Sequence, residues 1–132
     1  DVLANVKINQ LVDFHKAHKK MLTITGVNPP SRFGTFYLKG DEVQSYDASA
    51  RLEMHRSRIN GGFMVANEKI FEKLSPISEC NLEAEVFAKL IAEDDLSLWK
   101  HDDFWQNVDT ERDIEYMQSL YDINKRPWLG IN

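Results

Sequence analysis

With 132 residues, 42% hydrophobic and 28% charged, the chain is long enough for one domain with its own core and too short for two ordinary ones. A net charge of −5 leaves no overall field for attracting nucleic acid or an anionic membrane, so any phosphate-bearing ligand must be met by local cations or a bound metal. The lone Cys80 excludes an intramolecular disulfide and a cysteine-based zinc site, and no apolar run approaches the ~20 residues of a membrane span. No signal-peptide pattern is visible, and a cytoplasmic protein is the simplest expectation. The chain opens abruptly at Asp1-Val2-Leu3-Ala4 without an initiator methionine, which reads as a cut made inside a domain and makes a fragment the expectation.

In chain order, Asn5 is placed to cap a helix whose Ile8, Leu11, Val12 and His15 share one face. Lys16, His18, Lys19 and Lys20 crowd its last turn, where cations suit the helix dipole, and read as a solvated face. Met21 to Val27 reads as a buried strand, broken by Asn28-Pro29-Pro30. Thr35 to Lys39 and Glu42 to Tyr46, joined at Gly40-Asp41, form an expected hairpin. Asp47 to Arg58 is a polar, basic loop carrying Arg51, His55, Arg56 and Arg58.

Ile59-Asn60-Gly61-Gly62-Phe63-Met64-Val65 runs into a strand, and its paired glycines imply a bulge or a close backbone approach. Asn67 caps a short helix expected to turn Ile70, Phe71 and Leu74 inward, and Pro76 punctuates the loop after it. A third helix is expected to hold Leu82, Val86, Phe87, Leu90 and Ile91, with Glu83 and Glu85 near its start. Leu96 to Trp99 is a further strand, and Phe104 to Val108 returns to the core.

Behind that return stands Asp109, where a strand gives way to a helix. Thr110 and Asp113 have capping spacing, and Ile114, Met117, Leu120 and Tyr121 follow with helical period, to an end near Asn124. Lys125-Arg126-Pro127-Trp128 then forms an irregular tail. Asp109 reads either as a contributor to the helix cap or as a ligand-binding group, since α/β proteins collect such groups at strand-to-helix junctions. A second aspartate at the far end of the chain, Asp1, favours the latter. The sequence has no internal repeat, no glycine-rich phosphate loop and no metal-binding histidine pair.

The order of these features resembles the sugar-phosphate nucleotidyltransferases, in their branch acting on glucose 1-phosphate with CTP. Asp13-Phe14-His15-Lys16-Ala17-His18, at its distance from Asp1, is similar to the helix after the family's catalytic turn. Pro29-Pro30-Ser31-Arg32-Phe33-Gly34, Ile59-Asn60-Gly61-Gly62-Phe63 and Phe104-Trp105-Gln106 leading to Asp109-Thr110 and Asp113 match its further signatures, and Pro127-Trp128 its tail. The resemblance covers the whole chain, but only the family's C-terminal half. It implies an α/β fold: the C-terminal half of a Rossmann-like, three-layer nucleotide-diphospho-sugar transferase with a mixed sheet, residues 1–132 being one domain without the N-terminal nucleotide-binding half.

The implied reaction joins CTP to glucose 1-phosphate and gives CDP-glucose and pyrophosphate, with Mg²⁺ as cofactor. Carried over residue by residue, Asp1 and Asp109 would be the catalytic Mg²⁺ ligands. Gly34, Asn60 and Gly61 would line the sugar site, and Glu83, or its neighbour Glu85, would bind sugar hydroxyls. The chain departs from the family at Val2, where glycine is usual, and near Ser49, where a phosphate-binding lysine is usual. Arg51, with Arg56 or Arg58 as alternatives, then becomes the candidate phosphate cation, because arginine can grip phosphate bidentately. The isolated chain is expected to be inactive, and a homo-oligomer is allowed. The rival expectation is a non-catalytic sugar-phosphate-binding or oligomerisation module derived from the same fold. A glycosyltransferase using a nucleotide sugar shares the architecture but finds no Asp-x-Asp pair beside a strand end.

Overall fold

The computed structural model describes residues 1–28, 35–39, 41–47, 58–74 and 82–131. The chain is mixed α/β and divides into two compact units. One comprises Asp1–Asn5, Val27–Ile59 and Asp102–Asn132, the other Val6–Gly26 and Asn60–His101.

The second unit is built around a three-stranded sheet in the order β5 (Ile59–Ala66), β2 (Leu22–Val27), β6 (Leu96–His101). The start of β2 is tied to the end of β5 by Asn67 N–H donating to Met21 O at 2.8 Å. It is tied to the start of β6 by Leu22 N–H donating to Asp95 O at 3.2 Å. β2 therefore runs antiparallel to β5 and parallel to β6, a mixed sheet as expected. All six residues of β2 are buried, which its β-branched, apolar sequence allows. Leu22 and Ile24 point to a cluster with Ile70, Val86 and Leu90, against which Met21, Met64, Leu74, Phe87 and Leu96 pack. Thr23 points the other way, to α1 (Ile8–His18).

One helical face differs from the spacing-based expectation. Residues Glu68–Lys73 form a 3-10 helix, which turns about 120° per residue rather than 100°. Ile70 is buried, but Phe71 is 72% exposed. Leu82–Phe87 form a π-helical turn that runs into α2 (Ala88–Ala92); Val86 and Leu90 are buried, while Ile91 is 65% exposed. Asn67 does cap, its side-chain oxygen accepting Lys69 N–H at 3.0 Å.

Asn5 does not cap α1. That helix starts after Lys7 without a side-chain cap, and the Asn5 amide donates to Phe104 O at 3.2 Å. Asn5 thereby extends the ladder between β1 (Val2–Ala4) and β7 (Trp105–Asn107), whose antiparallel register pairs Val2 with Asn107 and Ala4 with Trp105. This two-stranded sheet belongs to the first unit. So does the hairpin of β3 (Thr35–Lys39) and β4 (Glu42–Asp47), which is antiparallel with an irregularity between Tyr37 and Leu38.

α3 (Glu111–Asp122) follows β7; Met117 is buried, whereas Ile114 and Tyr121 are more than half exposed. The tail is more regular than its sequence implies. Pro127–Leu129 make a 3-10 turn closed by reciprocal backbone bonds between Arg126 and Ile131, and the Arg126 guanidinium lies 4.5 Å over the Tyr121 ring. Among the described residues, no helix is long and apolar enough to cross a membrane.

Candidate functional site

The pairing of β1 with β7 brings together two aspartates 108 residues apart in sequence. Val108 N–H donates to Asp1 O at 2.7 Å, which sets Asp1 beside the Val108–Asp109 step. Both side chains reach solvent: Asp109 is 57% exposed and Asp1 fully so. The helix behind Asp109 is held by a capping box. Asp113 N–H donates to Thr110 Oγ1 at 3.3 Å, while Asp113 Oδ2 accepts Thr110 N–H at 3.0 Å and Asp109 N–H at 3.2 Å. The alternative role considered for Asp109 thus falls to Thr110 and Asp113, and the Asp109 carboxylate is directed elsewhere. Its Oδ2 accepts Asn107 Nδ2–H at 3.0 Å.

Two exposed aspartates are a hard-oxygen donor set that suits Mg²⁺, which commonly takes one or two carboxylates and completes its shell with phosphate oxygens and water. Among the described residues there is no group of three or more His, Cys, Asp or Glu able to hold a metal.

In the second unit, Asn60 Nδ2–H donates to Glu83 Oε1 at 2.7 Å, and Asn60 Oδ1 accepts Gly62 N–H at 3.0 Å. Glu83 is carried by the π-helical turn, a local widening that recurs at functional sites. Gly61 is buried beside Asn60, and Gly62 adopts φ +84° facing open space, which glycine tolerates readily. Asn60, Gly61 and Glu83 are thus brought together. Gly34 and Arg51 lie outside the described residues, as do Ser49, Arg56 and Cys80. Arg58, the remaining candidate cation, is 18% exposed and donates to Asp102 Oδ1 at 2.6 Å in the first unit.

Sequence reading missed two features, the second at residues where His18 and Lys20 were read as a solvated face. One is the Asn107 contact with Asp109, which depends on a side-chain rotamer at a strand end. The other is a network in which Lys20 N–H donates to His18 Nδ1 at 3.0 Å. This leaves His18 Nε2–H to donate to Thr23 Oγ1 at 2.8 Å, and the Thr23 hydroxyl to reach His15 Nδ1 at 2.9 Å. Burial, and then the nearby His18, hold the His15 pKa below its ordinary value of 6.5.

The chain matches no protein-family model. It is 34% identical to the glucose-1-phosphate cytidylyltransferase of Salmonella typhimurium over 128 residues, covering 97% of this chain and 49% of that protein. It is 26% identical to the mannose-1-phosphate guanyltransferase of Hypocrea jecorina, covering 92% of this chain and 34% of that protein. Its fold matches a crystal structure from Bacillus anthracis, titled as that of a glucose-1-phosphate thymidylyltransferase, with a TM-score of 0.61 at 17% identity; the match covers 97% of this chain and 55% of that one. The chain spans about half the length of the curated relatives it matches. Along nearly its whole length it is thus homologous to about half of a glucose-1-phosphate cytidylyltransferase, one of the sugar-phosphate nucleotidyltransferases.

Proposed function

We propose that this chain supplies the metal-binding carboxylates and the sugar contacts of a nucleotidyltransferase that joins CTP to glucose 1-phosphate. In this reaction a phosphate oxygen of the sugar attacks the α-phosphorus of CTP in line. The bond from that phosphorus to the bridging oxygen breaks, and CDP-glucose and pyrophosphate result. The observation that carries the reading is the β1–β7 pairing, continued by Val108 N–H donating to Asp1 O, which sets Asp1 beside Asp109 at the end of a strand. Relatives naming both cytidylyl and guanylyl transfer leave the base to the higher identity, which favours cytidylyl.

Asp1 and Asp109 would hold Mg²⁺, which when bound neutralises charge developing on the phosphates. Asn60 orients the Glu83 carboxylate, which accepts hydrogen bonds from sugar hydroxyls, with the Gly61 backbone beside them. Asp113, through the Asp109 amide, fixes the loop that presents the carboxylate. Such chemistry needs positioning and electrostatic stabilisation rather than a protein nucleophile. A cytoplasmic location goes with it, since nucleoside triphosphates are its substrates.

The test is CDP-glucose binding by calorimetry with and without Mg²⁺, in the protein and in Asp109→Asn. Affinity that depends on Mg²⁺ and loses that dependence in the variant is the expected result. Absence of binding in both would sink the reading and leave the non-catalytic module.

A further inference from the structure

We infer that Asn107 is a positioning residue, holding the Asp109 carboxylate in the orientation in which it meets a divalent cation; the inference rests on the metal-binding reading above. Asn107 closes β7, and its backbone lies opposite Val2 in the β1–β7 register, so its side chain starts from a fixed point. From there Nδ2–H donates to Asp109 Oδ2 at 3.0 Å, across the single intervening residue Val108. Val108 is itself pinned, because its amide bonds to Asp1 O, and the Asp109 amide bonds to Asp113 Oδ2 on the helix side. The backbone on both sides of the carboxylate is thus held, and the Asn107 contact restrains the side chain.

The chemistry of that contact matters. Asp109 is more than half exposed, and an exposed aspartate without a partner samples several rotamers. A neutral carboxamide orients the carboxylate without cancelling its charge, as a lysine or arginine would. Each carboxylate oxygen has two lone pairs, so one amide donor orients Oδ2 without exhausting it. Hydrogen bonds of this kind to ligating carboxylates commonly set metal affinity.

The experiment is a Mn²⁺ titration followed by electron paramagnetic resonance, on the protein and on Asn107→Leu, Asn107→Gln and Asp109→Asn. Asn107→Leu keeps the branching and heavy-atom count and removes the donor, and should weaken Mn²⁺ by roughly 10- to 100-fold. Asn107→Gln returns a carboxamide on a longer stem and should recover part of the loss, which a role confined to packing would not produce. Thermal midpoints equal to the parent's show that each variant is folded. Parent-like Mn²⁺ affinity in a folded Asn107→Leu would overturn the positioning role alone. No Mn²⁺ binding by the parent would overturn the metal reading, and this inference with it.

Discussion

Gly26 lies in the buried strand β2, where any side chain must find room. A Cβ at this position would sit 2.5 Å from Leu98 Cδ2 and 2.7 Å from its Cγ, closer than carbon atoms pack. Because the Leu98 Cγ is involved as well as the tips, the whole side chain has to move. Leu98 is 40% exposed, so it can swing toward solvent and lose part of its contacts. Gly26→Ala should therefore cost about 1–3 kcal/mol, measured as a shift in the urea midpoint at unchanged slope. Adding Leu98→Ala should recover part of that loss, giving a coupling of roughly 0.5–3 kcal/mol in a double-mutant cycle. Additive effects would show that the close approach is not what requires glycine here. The sequence offers a glycine in an apolar run; only the neighbouring strand reveals what it makes room for.

The contact of α1 with β2 shows how a polar network can stand where spacing predicts an apolar face. Lys20 N–H fixes His18 Nδ1 as an acceptor, so the chain of bonds through Thr23 is complete when His15 presents an unprotonated Nδ1. Protonation of His15 turns that acceptor into a donor and strands the buried Thr23 hydroxyl, in keeping with its lowered pKa. The unfolded chain, with an ordinary value near 6.5, then binds more protons than the folded one below that pH. The stabilisation is complete above about pH 6.5 and is lost as pH falls from there through the folded value. Asp94, whose carboxyl the Lys20 hydrogen bond holds below its ordinary 3.8, loses its contribution only in stronger acid. Thermal midpoints should fall between pH 7.5 and 5.5, and His15→Gln should flatten that slope. An unchanged slope would remove His15 as its source.

Elements with strong local signals, namely β2, the hairpin, β5 and the Thr110–Asp113 cap, were readable from residue pattern alone. Phe71 was expected to turn inward beside Ile70, but on the 3-10 turn it faces solvent. β1, three residues long, has no periodicity to read, yet its pairing is what joins Asp1 to Asp109.

At the scale of the molecule, a chain homologous to half of a nucleotidyltransferase raises the question of what half a site can do. The described residues set Asp1 beside Asp109 in one unit and pair Asn60 with Glu83 in the other, and the sequence holds no glycine-rich phosphate loop. Binding and turnover should therefore separate. Two carboxylates with Mg²⁺ can attract a nucleotide sugar through its phosphates, which needs only electrostatics. In-line attack needs the triphosphate held at the correct angle and distance, and such positioning accounts for effective molarities of about 10⁵–10⁸ M. Without a grip on the triphosphate, most of that factor is lost. This chain, mixed with CTP, glucose 1-phosphate and Mg²⁺, should release no pyrophosphate above background even where it binds CDP-glucose. Turnover at an enzymatic rate, of order 1 s⁻¹ or more, would mean that these 132 residues already hold the triphosphate in place. The nucleotide site would then have to be sought among the chain's own basic residues, beginning with Arg51 and the other arginines between residues 47 and 58.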